Sequence, residues 1–128
     1  MIFADSSFFI GLVDKKDKWH DMALAVSEEI NEEMMVSDLV ISESVTSIGS
    51  RSGGKAGQKL YEFFVDNCHI EYVDEEILRE GMEVFLRYDG KLSLPDSVSV
   101  IMMRRKGISR IVSFDSDFDR VDGVKRVG

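Results

Sequence analysis

Short apolar runs recur along the chain, each closed by a polar residue and followed by apolar residues at helical spacing. The first is Met1-Ile2-Phe3-Ala4, stopped by Asp5 and followed by a helix carrying Phe8, Phe9, Ile10 and Leu12. Ser6 or Ser7 stands where that helix would be capped. Beyond the charged connection Asp14 to Lys18, the residues Trp19, Met22, Ala23, Val26 and Ile30 mark a second helix over roughly 18–32. Met34-Met35-Val36 is a second strand that can extend through Leu39-Val40-Ile41, placing Glu43 just past its end near a helix start. The stretch 49–57 (GSRSGGKAG) breaks the helical pattern and reads as a flexible basic loop before a third helix resumes through Leu60, Phe63 and Phe64.

Ile70 to Val73 alternates as a third strand, and Ile77, Gly81, Val84, Phe85 and Tyr88 form one face of a fourth helix that stops at Asp89-Gly90. A fifth helix opens through Leu92-Ser93-Leu94-Pro95-Asp96 and is apolar nearly all round, which places it in the interior. Arg104-Arg105-Lys106-Gly107 ends it with cations and glycine. Ile111 to Asp115 is a fourth strand, Ser116 to Asp119 a tight turn, and Val124 to Val127 an edge strand. Strands alternating with helices imply an α/β fold on a mainly parallel sheet.

Composition narrows the class. The 128 residues suit one domain, spanning 1–128 without repeat or linker. No apolar run approaches a membrane span, and the amino terminus does not resemble a signal peptide. Cys68 is the single cysteine, so an internal disulfide and a thiolate zinc cage are excluded, and a reducing, cytoplasmic setting is the simplest expectation. Twenty-four acidic against 16 basic residues give a net charge of −8, the opposite of a general polyanion-coating protein. Clustered carboxylates can nonetheless bring a phosphate substrate in through a divalent metal.

The carboxylates Asp5, Glu43 and Asp115, with Asp117 close behind, each follow an apolar strand, and Asp96 lies in the first turn of the interior helix. Each has a plainer reading: Asp5 as a helix cap, Glu43 as a solvated glutamate, Asp96 at the N3 place of a capping box begun by Ser93, Asp115 and Asp117 in a polar turn. In a parallel sheet, however, strand ends share one edge, where α/β folds collect their chemistry. Four independent caps have no reason to converge there. Carboxylates that converge without cations carry raised pKa values or hold Mg²⁺ or Mn²⁺.

The stretches FADSSFFI (3–10), ISESV (41–45), LSLPDS (92–97) and IVSFDSDFDRV (111–121) resemble, in order and spacing, the four acidic motifs of PIN-domain ribonucleases, above all the small prokaryotic VapC-type toxins. The resemblance covers essentially the whole chain. It implies a three-layer α/β/α sandwich and a Mg²⁺- or Mn²⁺-dependent endoribonuclease leaving 5′-phosphate and 3′-hydroxyl ends. By position, Asp5, Glu43, Asp96 and Asp115 match the metal-binding acids, Asp117 a more variable extra acid, and Ser6 and Ser113 small hydroxyls that support the first and last acids. A homodimer and a small antitoxin partner are implied as well. The chain departs from the pattern at Ser97, where alanine is commoner, at Pro95 directly before Asp96, and at the glycine-rich stretch 49–57.

That stretch nearly spells a phosphate-binding P-loop, but Ala56 stands where a metal-holding hydroxyl is required and a helix precedes it, so it is not a nucleotide site. Arg51, Lys55 and Lys59 remain candidate RNA phosphate contacts, against a solvated loop as the plainer reading. Arg104, Arg105, Lys106 and Arg110 are explained mainly by the helix end. His20 after Asp17, and His69 beside Cys68, lack further ligands. Two other functions fit less well. A receiver-type phosphoacceptor needs a lysine at a late strand end, where Asp115 stands. A non-catalytic PIN scaffold would serve RNA binding or assembly without using its acids.

Overall fold

The buried strand β1 (Ile2–Ala4) lies at the middle of the sheet in this computed structural model, which describes residues 1–128. The chain continues through α1 (Ser6–Val13), α2 (His20–Glu29), β2 (Met34–Ser37), α3 (Asp38–Ser52), α4 (Gly54–Asn67) and β3 (Cys68–Glu71). There follow α5 (Glu75–Arg87), α6 (Leu94–Lys106), β4 (Arg110–Val112), a 3₁₀ turn (Ser116–Arg120) and β5 (Lys125–Val127). All strand pairs are parallel, in the order β3-β2-β1-β4-β5. The chain moves outward from β1 to β3, then crosses back to β4 on the other side of β1. Right-handed crossovers therefore put α1–α4 on one face and α5–α6 on the other. The helix packing agrees: α1 lies on α2 and α3, α3 on α4, and α5 on α6. The result is the α/β/α sandwich expected, and the β1/β4 boundary is its topological switch point.

Apolar burial explains why these elements hold. Phe8, Phe9 and Phe64 are fully enclosed, with Phe9 edge-on to Phe64 at 4.6 Å between ring centroids. Every residue of α6 from Asp96 to Met103 is buried, as an all-round apolar helix requires. Gly81 lets α5 lie against α6, since a Cβ there would stand 2.8 Å from Val98 Cγ2.

Several boundaries differ from the sequence reading. The stretch 49–57 is not a loop: α3 runs through Ser52, α4 starts at Gly54, and the break is Gly53 alone, at φ +96°. Tertiary contacts outweigh glycine's weak helix propensity here. Ile48 is fully buried, Arg51 bonds Asp14 at 2.9 Å, and Gly57 admits α3, whose Val45 carbonyl would meet a Cβ at 3.2 Å. The second strand does not extend to Ile41, because Ser37 Oγ accepts the Val40 N–H and starts α3. Glu43 consequently stands inside a helix. β3 begins at Cys68 instead of Ile70, in register with β2 from Met34↔Cys68. Asp115 lies beyond the end of β4 at Val112.

Candidate active site

Asp5 occupies the N-cap of α1, yet its side chain makes no capping hydrogen bond. Its Oδ2 instead accepts the hydroxyls of Ser113 at 2.7 Å and Ser7 at 3.0 Å. Ser7 Oγ also accepts the Phe114 N–H at 3.0 Å, and Ser113 Oγ the Asp115 N–H at 3.0 Å. The two central strand ends are thus laced by hydroxyls, and Asp5 is only 3 % exposed. Ser6, expected beside the first acid, donates to Glu43 Oε1. Ser7 is the hydroxyl that sequence reading missed.

Asp96 sits in the first turn of α6, where its N–H is capped by Ser93 Oγ at 3.2 Å. Pro95 beside it is accommodated in that first turn, where no N–H is needed. Asp115 caps the 3₁₀ turn, its Oδ1 accepting the Asp117 N–H at 2.9 Å. One open cleft of about 350 Å³ is lined by Asp5, Glu43, Asp96, Asp115 and Asp117, with Ser6, Ser7, Ser93, Gly90 and Lys91 completing it. All five predicted acids therefore come together.

Burial and like charge raise the pKa values of Asp5 and Asp96. Asp96 is pushed up to about 8, first by burial and then by the charges of Asp5 and Asp115. Asp5 is raised chiefly by burial, with the Ser113 and Ser7 hydroxyls pulling the other way. The ion pairs of the chain lie elsewhere, apart from Arg120 on Asp117 at 3.5 Å. No three His, Cys, Asp or Glu side chains form a preformed metal cage. The cleft instead offers carboxylate and hydroxyl oxygens from several elements, the ligand type that Mg²⁺ or Mn²⁺ prefers.

The other candidates are dispersed. Arg51 is taken by Asp14 at 2.9 Å and Asp17 at 3.8 Å. Lys55 is exposed on α4, and Lys59 flanks an apolar groove of about 280 Å³ formed by Phe9, Leu12, Val13, Ala56, Leu60 and Phe63. Arg105 bonds Glu76 and Glu80, Lys106 reaches Glu71, and Arg110 bonds Glu32, so the second basic cluster is a surface ion-pair network. His20 Nδ1 lies 2.7 Å from the Gly11 carbonyl, and His69 pairs with Glu33 at 2.9 Å. No helix is long and apolar enough to cross a membrane.

Known proteins share this sequence pattern and this fold. The PIN-domain profile matches residues 2–124. A 23S rRNA-specific endonuclease of Mycobacterium tuberculosis, VapC20, is 29% identical over 120 residues, 92% of either chain. The crystal structure of M. tuberculosis VapC20, described as a sarcin-ricin loop cleaving toxin, superposes with a TM-score of 0.86 at 27% identity, covering 94% of both chains. A toxin–antitoxin complex from Klebsiella pneumoniae shares the fold at a TM-score of 0.73 and 16% identity, over 98% of this chain and 96% of that one.

Proposed function

The chain belongs to the PIN-domain family, and from that premise we propose that it is a divalent-metal-dependent endoribonuclease, the toxin of a toxin–antitoxin pair. The observation that carries this reading is the convergence of Asp5, Glu43, Asp96, Asp115 and Asp117 on one cleft, where burial and mutual repulsion hold Asp96 at about 8. A purely structural cluster would gain nothing from burying carboxyl groups that hinder one another's ionisation.

Asp5, Asp96 and Asp115 would hold the metal directly, with Glu43 and Asp117 lining the same cleft. When bound, Mg²⁺ or Mn²⁺ supplies the positive charge that admits an anionic phosphodiester and acidifies water for attack. The chain's own contribution is positioning. Ser113 and Ser7 fix one oxygen of Asp5, and with it the orientation of a carboxylate that lines the cleft. Ser6 orients Glu43. Glu43 is exposed, which suits it to direct the attacking water. Buried Asp5 and Asp96 must lose their protons when the metal binds, so the cleft exchanges protons for metal.

The apolar groove between α1 and α4 is the feature that suits an antitoxin segment, and a homodimer is part of the same proposal. Leu12→Arg in that groove is expected to abolish neutralisation by such a partner while sparing cleavage. The relative's name supplies the first RNA to try: a hairpin of the 23S rRNA sarcin–ricin loop, beside an unstructured RNA. The reading expects cleavage with Mg²⁺ or Mn²⁺, none in EDTA, and products with 5′-phosphate and 3′-hydroxyl ends. Tight RNA binding without cleavage under any metal would support the scaffold alternative.

A further inference from the structure

Among the residues lining the acidic cleft, one is a cation: Lys91. Its surroundings would favour collapse onto the acids, because a flexible ammonium beside several carboxylates is drawn to them. It nevertheless forms no ion pair within 4.0 Å and remains exposed. The backbone explains how it is held.

The end of α5 closes in a Schellman arrangement, with the Asp89 N–H on the Leu86 carbonyl at 3.0 Å and the Gly90 N–H on the Phe85 carbonyl at 2.9 Å. Asp89 takes the left-handed conformation at φ 54°, and Gly90 follows at φ 74°, a second left-handed residue that glycine adopts without steric cost. The chain then turns on the Lys91 N–H, which reaches the Tyr88 carbonyl at 3.0 Å. Leu92, the next residue, is wholly buried, and Ser93 caps α6 through the Asp96 N–H. Lys91 is thus pinned between a closed helix end and a capped helix start, at a set place relative to Asp96. Its side chain stays free over the cleft.

We propose that Lys91 is the RNA-binding cation of the cleft: its ammonium holds the phosphate that enters among Asp5, Asp96 and Asp115. This rests on the nuclease reading above. Lysine is a compact point charge with rotatable donors, suited to a phosphate whose path varies with RNA sequence. The other cations near this edge are already committed, Arg51 to Asp14 and Asp17 and Arg120 to Asp117. The rival explanation is that Lys91 only offsets carboxylate charge, and the two differ in what they do to RNA.

The test compares wild type, Lys91→Gln and Lys91→Arg with the sarcin–ricin hairpin. Cleavage is followed in Mn²⁺, RNA binding in Ca²⁺ across a salt series, and Mn²⁺ binding without RNA. The proposal expects Lys91→Gln to bind RNA roughly tenfold more weakly, the size of one charge-assisted hydrogen bond. KM should rise more than kcat falls, and the salt slope should drop by about 0.7 to 1, one phosphate contact. Lys91→Arg should restore most of both, and all three proteins should melt alike. If Lys91→Gln instead tightens Mn²⁺ binding and melts lower, with KM and salt slope unchanged, the proposal is overturned while the nuclease reading stands. A wild type that neither binds nor cleaves any RNA would overturn both.

Discussion

Ser113 donates its hydroxyl to Asp5 Oδ2 at 2.7 Å, joining residues 108 positions apart across the two central strand ends. The bond favours the ionised form of a carboxylate that burial would otherwise keep protonated. Ser113→Ala should therefore leave a folded protein whose Asp5 gives up its proton less readily. Metal affinity and cleavage should fall by about 10- to 100-fold, the usual effect of losing a group that orients a metal ligand. The acid limb of the pH–rate profile should also move to higher pH. Ser6→Ala, acting through exposed Glu43, should cost less and leave that limb in place.

Asp5 and Asp96 stay protonated in the fold at pH values where an unfolded chain has released those protons. Their contribution is most favourable below the unfolded value of 3.8 and is lost as pH rises towards about 8 for Asp96. In EDTA, the melting temperature followed by circular dichroism should fall across that window. Mn²⁺ should raise it, and more near the upper end than near the lower. Asp96→Asn removes the charge, so its metal-free form should melt above wild type near pH 8 and no longer respond to Mn²⁺ as strongly.

Two glycine substitutions probe the helical course of 49–57 and the α5–α6 contact. Gly49 is a helical residue of α3 with open space where a Cβ would point, so Gly49→Ala should stabilise by roughly 0.5–1 kcal/mol. A flexible loop would gain no helix propensity. Gly81→Val places branched carbon where Val98 Cγ2 already stands 2.8 Å from a single Cβ, and should destabilise by about 1–3 kcal/mol or more. Urea unfolding of each variant measures both.

The sequence was most legible where burial left one choice. β1, running into Asp5, and α6, apolar on every side, lie where their patterns place them. Asp5 and Asp115 could be placed together because strand ends of a parallel sheet share an edge, whereas Glu43 and Asp96 reach the same cleft from the helices α3 and α6. Three features were hidden for distinct reasons. The segment 49–57 looks like a loop by composition, and only its packing against Val45 and Asp14 makes it helical. Ser6 and Ser7 are neighbours in sequence but point about 100° apart on a helix, so which one serves Asp5 is a matter of orientation. Lys91 follows Asp-Gly and reads as turn punctuation. Its place over the acids depends on how α5 ends and α6 begins, which no local pattern states.

The central claim, that these carboxylates form a metal-dependent RNA-cleaving site, is tested most directly with Asp5→Asn. The substitution keeps the shape of the side chain and removes its charge. Cleavage of the sarcin–ricin hairpin in Mn²⁺ should disappear, Mn²⁺ binding should weaken, and the circular dichroism spectrum should match wild type. Cleavage at the wild-type rate by a folded Asp5→Asn protein would contradict the account and move the chemistry away from this cleft.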